Sequence, residues 1–169
     1  MKSTEQFSKR RCLGTKVPAS EEQKSGAKFE YRWKSFEQVH LESLILASAL
    51  QRRHLYSEVS DEEFGVTLQV LGICSVNREE WLMTDLAANL LRVTSVPLYE
   101  TLGHATLLLI LQQTKMQTLF GNEKSLIGVL NMVLNEDVFL KNIVTFDPIS
   151  DEIWNLCQKK GLELLSYHQ

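Results

Sequence analysis

The chain has 169 residues, 44% of them hydrophobic and 23% charged, with a net charge of −3. That length holds one domain or a piece of one, and the slightly acidic balance offers no electrostatic footprint for nucleic acid. Cys12, Cys74 and Cys157 are far apart and never form a Cys-x-x-Cys pair, which argues against a disulfide framework or a zinc site and for a reducing compartment.

Residues 1–28 are polar, contain Gly14, Pro18 and Gly26, and read as an extended leader with little to bury. They lack the apolar centre of a signal peptide, and Lys9-Arg10-Arg11 reads as a solvated tail. A globular region is expected over 29–169. Phe29, Tyr31 and Trp33 alternate with Glu30, Arg32 and Lys34, the period-2 pattern of a short half-buried strand. Ser35-Phe-Glu-Gln38 has capping-box spacing, and Val39, Leu41, Leu44, Ile45, Ala47 and Leu50 follow at helical intervals to about Arg52. Residues 53–66 are charged and read as a surface loop, with Asp61, Glu62 and Glu63 as a solvated face.

A regular alternation follows. Residues 67–74 read as a buried strand that includes Cys74. Asn77 is placed to cap a helix over 78–91 whose apolar face carries Trp81, Leu82, Leu86, Ala87, Leu90 and Leu91. A strand at 93–98 contains Pro97, a turn spans 99–103, and an apolar helix covers 104–113. A strand at 117–120, a helix at 123–134, a strand at 142–146, a helix at 151–160 closed by Gly161, and a strand at 162–166 complete the chain. The longest apolar run, residues 105–111 broken by Thr106, is far short of the roughly 20 residues of a membrane span. Strand then helix, repeated four times, specifies an α/β fold: a Rossmann-like open parallel sheet flanked by helices.

Such sheets bind ligands beyond the carboxyl ends of their strands. The first such loop, Ser75-Val76-Asn77-Arg78-Glu79-Glu80, has no Gly-x-Gly-x-x-Gly, and no two glycines lie close enough for a phosphate cradle. There is no Gly-x-Ser-x-Gly elbow, and His40, His54, His104 and His168 lack the spacing of a zinc helix. These residues by themselves present no catalytic, cofactor-binding or metal-binding constellation.

Four blocks carry a resemblance. They are Cys12-Leu-Gly-Thr-Lys16, Tyr31-Arg-Trp-Lys-Ser-Phe-Glu-Gln-Val39, Gly72-Ile73 with Asn77-Arg78-Glu79-Glu80-Trp81, and Val96-Pro97-Leu98-Tyr99-Glu100-Thr101-Leu102-Gly103. In this order they resemble the N-terminal part of the eukaryotic long-chain acyl-CoA synthetases, adenylate-forming enzymes of lipid metabolism. Glu100, Phe36 and Arg32 stand where that family has Asp, Tyr and Glu. The resemblance implies ATP, Mg²⁺ and coenzyme A as the complete enzyme's cofactors, and a fatty acid activated through an acyl-adenylate to acyl-CoA. It implies a cytoplasmic location, on the cytosolic side of the endoplasmic reticulum or other membranes. It marks Asn77, Arg78, Trp81, Pro97, Tyr99, Thr101 and Gly103 as structural residues next to the family's cleft. The family's phosphate loop, Mg²⁺-contacting motif, ribose-binding Asp and catalytic Lys have no counterpart in these residues. The chain is therefore expected to be inactive alone and to self-associate through an uncovered apolar face; the alternative is a non-catalytic scaffold or regulatory module derived from such an enzyme.

Overall fold

The computed structural model describes residues 6–19, 29–61, 65–99 and 101–168. Much of the polar leader, Glu62 and Glu63 of the acidic triplet, and Glu100 lie outside these.

The leader contains a strand. β1 (Arg11–Pro18) pairs antiparallel with β2 (Phe29–Ser35) in a two-stranded ribbon, so this stretch is not merely extended chain. Gly14 makes the pairing possible, because a Cβ there would come within 2.8 Å of the Trp33 ring. The alternating aromatics are not half-buried as their pattern suggests: Phe29, Tyr31 and Trp33 all face outward and stay exposed. The opposite face of the ribbon is the one tied to the domain, where Lys34 bridges Glu42 and Glu79 and the Thr15 hydroxyl donates to Glu79.

Ser35 starts α1 (Phe36–Arg53) with the expected capping box: its hydroxyl accepts from the Gln38 amide and its own amide donates to the Gln38 side chain. Residues read as a loop then form β3 (Ser57–Asp61), an edge strand antiparallel to β4 (Val66–Cys74). Its short polar sequence is what an exposed edge calls for, and that hides it from a hydrophobicity-based reading.

The remaining elements alternate: α2 (Glu79–Leu90), β5 (Val93–Pro97), α3 (His104–Thr114), β6 (Thr118–Gly121), α4 (Glu123–Val133), β7 (Asn142–Thr145), α5 (Asp151–Lys160) and β8 (Glu163–Ser166). Gly161 ends α5 in the left-handed conformation, φ 70°, as its position predicts. The cap of α2 differs from expectation. Arg78, not Asn77, is the cap residue, and it makes no side-chain capping bond, because a guanidinium has only donors and cannot accept from the helix amides. The buried face of α2 also differs: Met83, Thr84, Ala87 and Ala88 point inward while Leu82 and Leu90 are exposed. Small residues there let the helix lie close against the sheet and α1.

The register settles the strand order. β4 pairs in parallel with β5 through residues 69–73 and with β6 through 72–74, so these two lie on opposite edges of β4. β3 shares the β6 edge, alongside the first half of β4. The parallel strands therefore run β5-β4-β6-β7-β8. Side chains alternate between the two faces, as the strand period requires. Val70, Leu119 and Ile143 enter one core with α3, α4 and α5; Leu71, Phe120 and Val144 enter the other with α1 and α2.

Candidate functional site

β5 lies on one side of β4 and β6 on the other, so the chain reverses its winding direction between β4 and β6. In doubly wound sheets the ligand crevice opens at this switch point, beyond the strands' carboxyl ends. β4 and β6 meet closely there: a Cβ on Gly121 would lie 2.1 Å from the Cys74 carbonyl oxygen, so only glycine permits the pairing.

The protein's own side chains bridge this end of the sheet. After β4, the Val76 amide donates to Asn122 Oδ1 at 3.2 Å, and the same oxygen accepts from the Ser125 hydroxyl at 2.8 Å. Arg78 reaches further. Its Nε and Nη2 donate to the two carboxylate oxygens of Glu80 at 2.7 and 2.8 Å, and its Nη1 donates to Asp147 Oδ1 at 2.7 Å. The guanidinium carbon stands 5.5 Å from the centre of the Phe146 ring. Asp147 in turn accepts from the Glu123 amide at the start of α4, 2.8 Å away. The loops after β4, β6 and β7 are thus joined by one network.

Its electrostatics are balanced. Hydrogen bonds from Arg78 to Glu80 and Asp147 raise the guanidinium pKa further, against a smaller loss from burial. Burial alone pushes the Glu80 and Asp147 carboxyls up, but the bonds and charge of Arg78 outweigh it and hold both below the usual carboxylate range. Burial raises Tyr167, which stacks edge-on to Phe146 with ring centres 5.1 Å apart. His168 lies 3.6 Å from Glu80 Oε1.

Of the residues singled out by sequence, Arg78 is central and Trp81 packs against the α1–α2 core. Asn77 is exposed and only precedes the cap. Pro97 ends β5, after which the Leu98 amide donates to Ile73 O at 2.8 Å. Tyr99 lines a crevice of about 160 Å³ with Cys74, Leu102, Leu107 and Val129, on the α3–α4 side of the switch point. Thr101 is exposed, and Gly103 caps α3 with open space where a Cβ would go. The structure thus divides these seven residues between two sides of the carboxyl edge. Glu80, inside the third family block, and Asn122 and Asp147, to which no motif pointed, complete the site. Among the described residues no group of three or more His, Cys, Asp or Glu could hold a metal ion.

No protein-family model matches the chain. It is 30% identical over 157 residues to long-chain-fatty-acid–CoA ligase 1 of the guinea pig, Cavia porcellus, covering 92% of this chain and 20% of that one. It is 27% identical over 159 residues to long-chain-fatty-acid–CoA ligase 5 of the rat, Rattus norvegicus, covering 93% and 21%. The adenylation and carrier didomain of carboxylic acid reductase from Segniliparus rugosus, solved with AMP, superposes with a TM-score of 0.66 over 96% of this chain and 24% of its own, at 16% identity. The chain matches a fragment of an adenylate-forming enzyme. It spans about a fifth of the length of the curated ligases it matches. The fold shared with the reductase didomain is the parallel sheet described above.

Proposed function

We propose that this chain is the N-terminal portion of a long-chain fatty-acid–CoA ligase and serves as scaffold for ATP-dependent activation of a fatty acid, through an acyl-adenylate, to acyl-CoA. The observation that carries this reading is that more than nine-tenths of the chain aligns with one stretch of such ligases.

By itself the chain does not complete the reaction. Adenylation requires the triphosphate's charge to be neutralised and its groups held in line. At the carboxyl edge Arg78 is already matched by Glu80 and Asp147, and a phosphate would have to displace both carboxylates. The groups present therefore do not fit ATP with Mg²⁺, and coenzyme A has no assigned contact. Among the described residues no helix is long and apolar enough to cross a membrane.

The test is an assay of the purified chain with a long-chain fatty acid, ATP, Mg²⁺ and coenzyme A. No acyl-CoA and no pyrophosphate are expected. Pyrophosphate release that depends on fatty acid and follows the protein through purification overturns the claim of inactivity. The scaffold reading is checked by adding the complementary part of a ligase in trans, which should restore acyl-CoA synthesis.

A further inference from the structure

Val39, Ser43, Ala47 and Leu50 turn one side of the 18-residue helix α1 into the domain. On the opposite side Leu41, Leu44 and Ile45 stay 53%, 42% and 69% exposed, and the exposed Ser48 completes the i, i+3, i+4, i+7 spacing of one helical stripe. Single exposed leucines are ordinary, but three adjoining aliphatic side chains on a helix whose other face is already buried form an apolar patch. The patch ends in charge. Glu37 lies one turn before Leu41, and Arg52 one turn after Ser48. Among the described residues neither has an ion-pair partner, whereas nearby Glu42 bonds Lys34 and Arg53 approaches Glu163.

These positions are symmetric about the midpoint between Leu44 and Ile45. A two-fold axis through that point lays α1 antiparallel on its own copy. Leu44 then meets Ile45, Leu41 meets Ser48 and Glu37 meets Arg52, and each contact occurs twice. The Ser48 hydroxyl already donates to the Leu44 carbonyl at 2.9 Å, so it can leave water without losing a bond, and its small side chain leaves room for the copy's leucine. The helix macrodipole alone favours an acid in the first turn and a base in the last, but it does not call for the aliphatic residues between them.

We infer that this stripe pairs with the same stripe of a second copy, forming a two-fold antiparallel dimer. The choice of occupant follows from complementarity: acid meets base at both ends, apolar meets apolar at the centre, and no like charges are opposed. A segment from the remainder of a longer ligase would have no reason to match this two-fold pattern. One helical stripe falls short of the roughly 1,200 Å² of a stable interface, so the dimer is weak and reversible, with a dissociation constant on the order of 100 μM. The inference goes beyond the ligase reading, and the acyl-CoA assay has no bearing on it.

The experiment is sedimentation velocity of the full chain from about 5 to 500 μM, a range chosen to bracket that constant. A monomer–dimer equilibrium is expected. Reversing one charge, Glu37→Arg or Arg52→Glu, sets like charges together twice in each dimer and should weaken it about tenfold. Mixing the two variants in equal amounts should restore the dimer, because every charge contact in the mixed pair is again between opposites. Ile45→Asp should abolish it with circular dichroism unchanged, whereas Leu109→Asp, at an exposed residue of α3, should leave it intact. A monomer throughout the range overturns the inference. So does a dimer indifferent to either charge reversal, a mixture that fails to restore it, or an equal loss with Leu109→Asp. The mixture keeps the test valid even if a reversed charge weakens its own helix, since the other variant cannot repair that loss.

Discussion

Arg78 makes three hydrogen bonds to two carboxylates, one of them 69 residues away along the chain. Replacing it with Met leaves Glu80 and Asp147, both partly buried, without their cation. Hydrogen bonds to charged groups contribute about 1.5–3 kcal/mol, so Arg78→Met should cost about 2 kcal/mol in urea unfolding. The pH dependence follows from the same pairing. Glu79, Glu80 and Asp147 have folded pKa values depressed by Lys34 or Arg78 despite the opposing effect of burial. A carboxyl with a depressed folded pKa contributes stability that is fully present above its unfolded value, about 4, and lost as pH falls through the folded value. The wild-type chain should therefore lose stability progressively below about pH 4, and Arg78→Met should flatten that decline. An unchanged acid profile in the variant would mean that Arg78 is not what holds the two carboxyls down.

At the scale of elements, the capping box is the clearest case of local sequence specifying local structure. Ser35 and Gln38 satisfy each other's amides at the start of an 18-residue helix that buries Val39, Ala47 and Leu50. Ser35→Ala removes one half of it and should cost about 1 kcal/mol by thermal or urea unfolding; no measurable change would show that tertiary packing alone sets the start of α1. The parallel strands and their crossover helices were equally legible, because strands buried on both faces and amphipathic helices leave strong periodic signals. The edges were not. β1 carries Lys, Gly and Pro, and β3 reads Ser-Glu-Val-Ser-Asp, so neither buries enough on one face to show a period. In β2 the period was real and its direction misleading, since the aromatics mark the face turned away from the core. The site was half legible. The family blocks contain Arg78, but Asp147 and Asn122 lie after other strands, and only the topology brings the three loops together.

On the scale of the whole molecule, the two faces of the sheet are unequally covered. Three helices, α3, α4 and α5, pack on one face, and only α1 and α2 on the other. Parallel sheets need both faces covered, so the deficit should show at the end of the sheet farthest from α2. A cavity of about 390 Å³ lies there, with Phe120, Val144 and Leu165 among its walls, Ile149 at its mouth and Arg52 and Arg53 at its rim. In relatives roughly five times longer, this is a face on which further chain can pack. An anionic hydrophobic dye such as anilinonaphthalene sulfonate should therefore fluoresce on the native chain, its sulfonate drawn to the two arginines and its rings to the apolar wall. Ile149 is 41% exposed, so Ile149→Asp places a carboxylate in the mouth without burying it, and should reduce that fluorescence several-fold at unchanged circular dichroism. Leu90→Asp changes the separate apolar groove of about 380 Å³ between α1 and α2, and serves as the comparison. A larger loss with Leu90→Asp than with Ile149→Asp would move the uncovered surface to the outer groove and away from the sheet.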